Sequence, residues 1–286
     1  MASANATREI PAGDGSVDLT GSRWLAALLP VLVVCACDRN LKPRTSPVAA
    51  TQTASGLTLD MGGGTTMEFV RIPAGEFVMG WEGYGEEMGH TKPQHKVKLT
   101  KPFYMSIYEV TQGQYASAMG TNPALHQDPQ YPVDRVSWDD ATKFCRRVSS
   151  LAGVIARLPT EAEWEYACRA GSTTRFCFGD DERQLRNYAW YSESREPRNR
   201  VGQKKPNAWG LYDMHGNVAE WCFDWYGPYS SQPQIDPTGP GTGRERVVRG
   251  GNLYSSEKFC CSACRDCDLG RRPRDLIGFR VVIECP

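Results

Sequence analysis

The sequence has no apolar run long enough to cross a bilayer, no surplus of charge of either sign, and few histidines. Its longest apolar stretch, Trp24 to Ala36, falls short of the roughly 20 residues a spanning helix needs. The 33 basic and 33 acidic side chains cancel. That removes the global field that gathers nucleic acid or an anionic membrane, so no nucleic-acid partner is expected. Long helical periodicities are missing too, which excludes a helical bundle. With Gly 28, Pro 19 and Trp 8, the composition describes a loop-rich chain with short strands.

Cysteine, by contrast, is plentiful. There are 11, an odd number, and Cys260, Cys261, Cys264, Cys267 and Cys285 crowd the end. The run Cys261-x-x-Cys264-x-x-Cys267 invites a zinc reading. Against it, no histidine follows His215, no second knuckle completes a four-ligand set, and on a strand a spacing of three alternates faces.

Arg23 and the apolar run ending in Val34-Cys35-Ala36-Cys37 fit a signal peptide with a lipobox over residues 1–36, with Cys37 as the lipidated residue. An ordinary secretory signal cleaved nearby stays open. Either way the expectation is an exported protein of the cell envelope, held at the membrane through a lipid anchor. In such a compartment some of the later cysteines would pair. Residues 37–57 read as a flexible Pro/Ser/Thr/Ala tether, and 58–286 as one domain.

Within that domain three helix starts carry a capping box: Thr111-x-x-Gln114, Ser137-x-x-Asp140 and Thr160-x-x-Glu163. After Ser137, Ala141, Phe144, Cys145, Val148 and Leu151 recur at helical spacing and mark a buried face. Strands are expected at Glu68 to Ile72, Gly75 to Met79, His95 to Leu99, Arg246 to Arg249 and Gly278 to Ile283. This mixture is of the α+β class.

Several stretches carry a more specific likeness. They are Phe69-Val70-Arg71-Ile72-Pro73-Ala74-Gly75, Arg157-Leu158-Pro159-Thr160-Glu161-Ala162-Glu163-Trp164, and Gly210-Leu211-Tyr212-Asp213-Met214-x-Gly216-Asn217-Val218-x-Glu220-Trp221. Arg249-Gly250-Gly251 and Gly278-Phe279-Arg280 follow in the same order. In this layout the chain resembles the sulfatase-modifying-factor, or formylglycine-generating-enzyme-like, family. The resemblance implies a C-type-lectin-like fold with its N- and C-terminal strands paired.

Enzymes of that family oxidise a substrate cysteine with copper held by two thiols shortly after the Gly-Gly pair. Here that register puts Ser255 at the first thiol position and Cys260 at the second. A hydroxyl is a poor ligand for soft Cu(I), and Cys261 has the wrong strand parity to replace it, so copper is not expected. The family's calcium loop maps onto Asp213, Gly216, Val218 and Glu220, whose hard oxygens suit that ion. Capping or arginine pairing by Asp213 and Glu220 is the competing reading.

Departures from the family pattern interleave with retained positions across 247–280. In this the chain resembles the variable proteins of diversity-generating retroelements. The expected ligand-binding residues are Asn252, Leu253, Tyr254, Ser255, Ser256, Phe259, Cys261, Cys264, Asp266, Asp268 and Leu269. The functional expectation is thus a non-catalytic module that binds a protein or other cell-surface ligand. The alternative is a formylglycine-generating oxidase with Cys260 in its catalytic site.

Overall fold

A computed structural model describes residues 45–53, 56–83, 90–194 and 198–285. The apolar run, the lipobox and Cys37 lie outside the described residues. The strands are β1 Ala49–Gln52, β2 Gly56–Gly62, β3 Thr65–Ile72, β4 Gly75–Met79, β5 His95–Leu99, β6 Phe103–Ser106 and β7 Ala156–Arg157, followed by β8 Ala219–Trp225, β9 Gln234–Ile235, β10 Arg246–Arg249, β11 Arg265–Asp268, β12 Ile277–Gly278 and β13 Val282–Glu284. Three helices, α1 Gln112–Met119, α2 Trp138–Ala152 and α3 Glu161–Arg169, complete an α+β domain.

All three expected capping boxes form, with each N-cap hydroxyl accepting from its N3 amide and each N3 side chain reaching back. These starts are fixed by a hydroxyl and a partner three residues on, which is why they can be read locally. The predicted face of α2 is buried, and Phe144 stacks on Tyr115 and meets Phe279 edge-on.

A six-stranded sheet in the order β1-β2-β3-β6-β13-β7 carries apolar side chains on both faces. Met67, Phe69, Tyr104 and Ile283 face one core with α1 and α2. Ile72, Phe103, Met105 and Val282 face a second with Trp164 of α3. The alternation follows the two-residue period of a strand. Two smaller sheets, β11-β10-β8-β12 and β4-β5-β9, complete the frame.

Three expectations need correction. Residues 49–52 are not tether but an edge strand paired with Leu57 to Asp60, and Val48 is buried with its amide on the Leu151 carbonyl. The terminal strands share one sheet without touching, because β6 lies between β3 and β13. The segment 278–283 is two strands, not one: β12 runs parallel to β8, and β13 is antiparallel to β6. Arg280 lies between them, its side chain buried against Glu220.

Candidate functional site

Strand β8 delivers Glu220 into the interior, where Arg280 grips both carboxylate oxygens at 2.7 Å. The indole of Trp164 donates to the same carboxylate at 2.7 Å. Two more buried acids lie nearby. Glu109 accepts from the Asn217 amide group at 2.6 Å and from the Val218 backbone amide at 3.0 Å. Asp213 accepts from the Gly202 amide at 2.7 Å. Burial, then the charges of Asp213 and Glu220, push the Glu109 carboxyl well up. Burial likewise pushes Asp213 up to about 6, against the pull of the Gly202 amide and Arg280.

This cluster fits a hard cation in part. Asp213 Oδ1 and Asn217 Oδ1 are buried acceptors with no hydrogen-bond partner, and carboxylates outnumber the guanidinium among them. Glu220, however, is committed to Arg280 and Trp164, so the expected fourth ligand is engaged by protein donors. Gly216 is held by steric need, since a Cβ there would come within 2.2 Å of the Trp190 carbonyl oxygen. Among the described residues no group of three or more His, Cys, Asp or Glu side chains is arranged to hold a metal ion.

The second assembly begins where β10 runs into Gly250 and Gly251, both at positive φ. A Cβ on Gly251 would lie 2.9 Å from the Phe259 carbonyl oxygen and 3.0 Å from the Cys260 sulfur, so only glycine lets the chain fold back this tightly. The segment 252–256 follows, then a single 3-10 turn, Glu257–Cys260, then a disulfide between Cys261 and Cys264, then β11. A cavity of about 320 Å³ opens among these pieces, lined by His90, Arg249, Gly251, Asn252, Ser255, Phe259, Cys264, Arg265 and Asp266.

Two of its lining residues, Arg249 and Arg265, belong to a buried ion network. Arg249 pairs with Glu165, which also takes Arg169 at 2.8 Å. Arg265 pairs with both oxygens of Glu161, at 2.5 and 2.7 Å, and its guanidinium packs over the rings of Tyr229 and Tyr226, 3.9 and 4.7 Å from their centroids. Burial would raise the Glu161 carboxyl, but Arg265 and Arg249 outweigh it and hold it below the usual range. Arg265 and Glu161 also border a larger cavity of about 510 Å³ that contains His95, Asp224 and Tyr229. There burial, and then the Glu161 charge, push Asp224 up to about 8.

Of the expected ligand-binding residues, Asn252, Ser255, Phe259, Cys264 and Asp266 line the first cavity. Tyr254 is 74% exposed, Phe259 and Leu269 48% each. Asp266 is exposed, and Asn252, Ser255, Ser256 and Asp268 are half-buried. Leu253 and Cys261 are corrections, being buried and outside the lining, whereas Cys264 is buried but borders the cavity. Leu253 packs with Val218 and Leu276, and the two cysteines sit in a small apolar cluster with Phe176 and Tyr191.

The pairing of Cys261 with Cys264 also replaces the zinc reading, leaving Cys267 apart on β11. The strand-parity argument about Cys261 does not apply, since the chain at Cys260 is a 3-10 turn. Ser255 uses its hydroxyl to accept from the Asn252 amide at 3.0 Å. Cys260 is fully buried, is absent from the cavity lining, and has its thiol pushed up to about 12 by burial. Sequence reasoning missed Arg249 and Arg265 in the lining, and Glu161 as the partner of Arg265. The retained Arg249-Gly250-Gly251 was the available signal.

Residues 59–285 match the family described as sulfatase-modifying factor enzyme 1-like domain. The chain is 31% identical over 285 aligned residues to the formylglycine-generating enzyme of Streptomyces coelicolor, an alignment that takes in 74% of this chain and 87% of that one. Among solved structures it is similar to Treponema denticola variable protein 1, with a TM-score of 0.74, 28% identity, and 82% of this chain and 100% of that one covered. It is similar as well to PvdO from Pseudomonas aeruginosa, with a TM-score of 0.70, 28% identity and the same coverage of 82% and 100%.

Proposed function

The chain belongs to the sulfatase-modifying factor enzyme 1-like family, and we propose that it is a binding module whose ligand is a protein or other cell-surface molecule, exported and lipid-anchored through the apolar run that ends at Cys37. The observation that carries this reading is the state of the two positions where the oxidases hold copper. Ser255 offers a hydroxyl, and Cys260 is a buried thiol outside the cavity wall. Soft Cu(I) needs two reachable thiolates, and this pair supplies neither.

What remains at the surface suits contact. Tyr254, Phe259 and Leu269 stand exposed, and Phe259 borders a cavity lined also by the ion-paired Arg249 and Arg265, an arrangement that suits interface anchors on a rigid support. The likeness to a protein titled variable protein supports a diversified 247–280 segment. Calcium, on this reading, would lie at Asp213 with the carbonyls of Gly216 and Val218, and would add stability there without any role in chemistry.

The oxidase reading is favoured by the identity to the Streptomyces enzyme. One experiment separates the two. Purified protein given copper and a cysteine-containing sulfatase-type peptide is expected to form no aldehyde. In a parallel screen against arrayed cell-surface proteins and glycans, Tyr254→Ala and Phe259→Ala are expected to weaken capture about tenfold, or roughly 1.4 kcal/mol, with unchanged melting. An aldehyde on the peptide overturns the binding reading.

A further inference from the structure

Strand β8 carries Asp224 into the wall of the cavity of about 510 Å³. Much of the segment 226–240 folds along the same wall as a strap, and it is pinned twice. Strand β9 runs parallel to β5, and the Asp236 carboxylate accepts from the Thr100 amide at 2.8 Å and from its hydroxyl at 2.5 Å. Where the strap passes Asp224 the residue is Gly239, at φ 70°. A Cβ there would lie 2.9 Å from Asp224 Cβ and 3.0 Å from Oδ1, so only glycine lets the backbone pass this close without covering the carboxyl group.

Asp224 is 3% exposed, yet only one of its oxygens is engaged. Oδ2 accepts from the Glu161 amide at 2.8 Å, whereas Oδ1 meets no donor among the described residues. The other charged groups of the wall are already occupied. Arg265 holds both oxygens of Glu161, Thr100 holds Asp236, and His95 Nδ1 lies 3.1 Å from the Pro93 carbonyl oxygen. Arg246 of β10 faces Asp224 as well, but its guanidinium is spread over the Trp225 ring and donates to the Phe223 carbonyl. At Asp224 the charges of Glu161 and Glu163 outweigh that of Arg265. The free oxygen therefore sits where a positive charge is favoured.

The chemistry of the wall narrows the kind of cation. No group of three His, Cys, Asp or Glu side chains among the described residues is arranged to hold a metal ion. The Trp225 and Tyr229 rings already carry the guanidiniums of Arg246 and Arg265, which leaves hydrogen bonds and not ring faces to hold a nitrogen. Ser230, Gln234 and Thr238 add neutral acceptors, and Met79 and Ala162 add apolar surface for a carbon stem. The volume falls within the range for ligand sites, roughly 300–1,000 Å³.

We propose that this cavity binds a protonated primary amine on an aliphatic stem, presented by a lysyl side chain or by a free diamine, with the nitrogen donating to Asp224 Oδ1. The site is distinct from the Tyr254 and Phe259 surface and does not rest on the binding reading given to that surface. The cation takes the place of a proton: Asp224 releases its proton to solvent, and the ammonium group keeps its own three. Burial, then Glu161, push Asp224 up to about 8, so the proton competes below that pH and affinity grows as pH rises toward it. An alkyl ammonium, whose ordinary value is about 10.4, stays charged throughout.

The test is calorimetric titration of the folded chain, with diaminobutane in one arm and a blocked peptide containing a single lysine in the other. Affinity should rise about tenfold from pH 6 to pH 7 and about fivefold more to pH 8, and binding at pH 7 should release about one proton to the buffer. The same peptide with its lysine acetylated should give no binding. Asp224→Asn keeps the shape and an acceptor for the Glu161 amide; it should lose at least about tenfold in affinity at pH 8 and lose the pH dependence with it, which separates Asp224 from His95 as its source. Tyr254→Ala should bind the amine as the wild type does.

Binding in one arm alone supports the proposal and identifies the source of the amine. No binding of either amine at pH 8, equal binding of the acetylated peptide, or an affinity that stays flat from pH 6 to pH 8 overturns it. The wild-type pH series and proton count decide even where Asp224→Asn does not fold. Amine binding in a chain that captures no partner sinks the binding reading alone, and partner capture without amine binding sinks this inference alone.

Discussion

Asp213 Oδ1 is a buried carboxylate oxygen with no donor, in a cluster where Glu109 and Glu220 add negative charge and Arg280 is already shared. Leaving such an atom unsatisfied costs about 1–3 kcal/mol. A cation there would satisfy it, and a ligand that binds only the native state stabilises by about 2.7 kcal/mol at a hundred times its dissociation constant. For a domain of this size that corresponds to roughly 5–10 °C in melting temperature. If calcium binds at Asp213, chelation should lower the melting temperature of the wild type by that order. Asp213→Ala should melt lower from the start, having also lost the Gly202 contact, and should not respond to the chelator. An unresponsive wild type would reduce the cluster to a hydrogen-bonded acid-arginine core.

The helix starts allow a sharper test at the level of elements. Ser137 and Thr160 each cap a helix through a complete box, and replacing such a residue by alanine costs about 1 kcal/mol. The Thr160 box has a second duty, because Glu163 also holds Arg157 through contacts of 2.7 and 2.8 Å. Urea unfolding should therefore show a loss of about 1 kcal/mol for Ser137→Ala and a larger one for Thr160→Ala, with unchanged slope against denaturant. A null effect at both sites would mean that tertiary packing alone sets these helix ends.

The same locality explains what could be read in advance. The caps and the alternating buried and exposed positions of β5 depend on neighbours a few residues away. Strand β8 lacks that alternation, because it lies between β10 and β12 and is buried on both faces at most positions. Strand β1 is exposed throughout, and by composition an exposed edge strand cannot be told from a tether. At the site, Arg249-Gly250-Gly251 announced the sharp turn, but the pairing of Arg265 with Glu161 spans 104 residues. Whether Leu253 points inward and Tyr254 outward depends on the path of an irregular loop, which no period encodes.

For the molecule as a whole, the question is what would hold it at a membrane. No helix among the described residues is long and apolar enough to cross one, and 33 basic against 33 acidic side chains leave no overall positive charge to draw the whole chain to anionic lipid. Anchoring would then fall to lipid on Cys37, outside the described residues. Each buried methylene contributes about 0.8 kcal/mol, a single acyl chain gives only reversible binding, and a second signal is needed for stable attachment. Arg39, Lys42 and Arg44 follow Cys37 but their attraction to lipid is screened by salt, whereas attachment through a second acyl chain is apolar and insensitive to screening. The wild type should therefore stay in the membrane fraction at about 1 M salt, where the Debye length is about 3 Å, and should be released by detergent. It should also incorporate a fatty-acid analogue, whereas Cys37→Ala should do neither. Release of the wild type by salt, or equal labelling of the variant, would show that an ordinary cleaved signal precedes this domain.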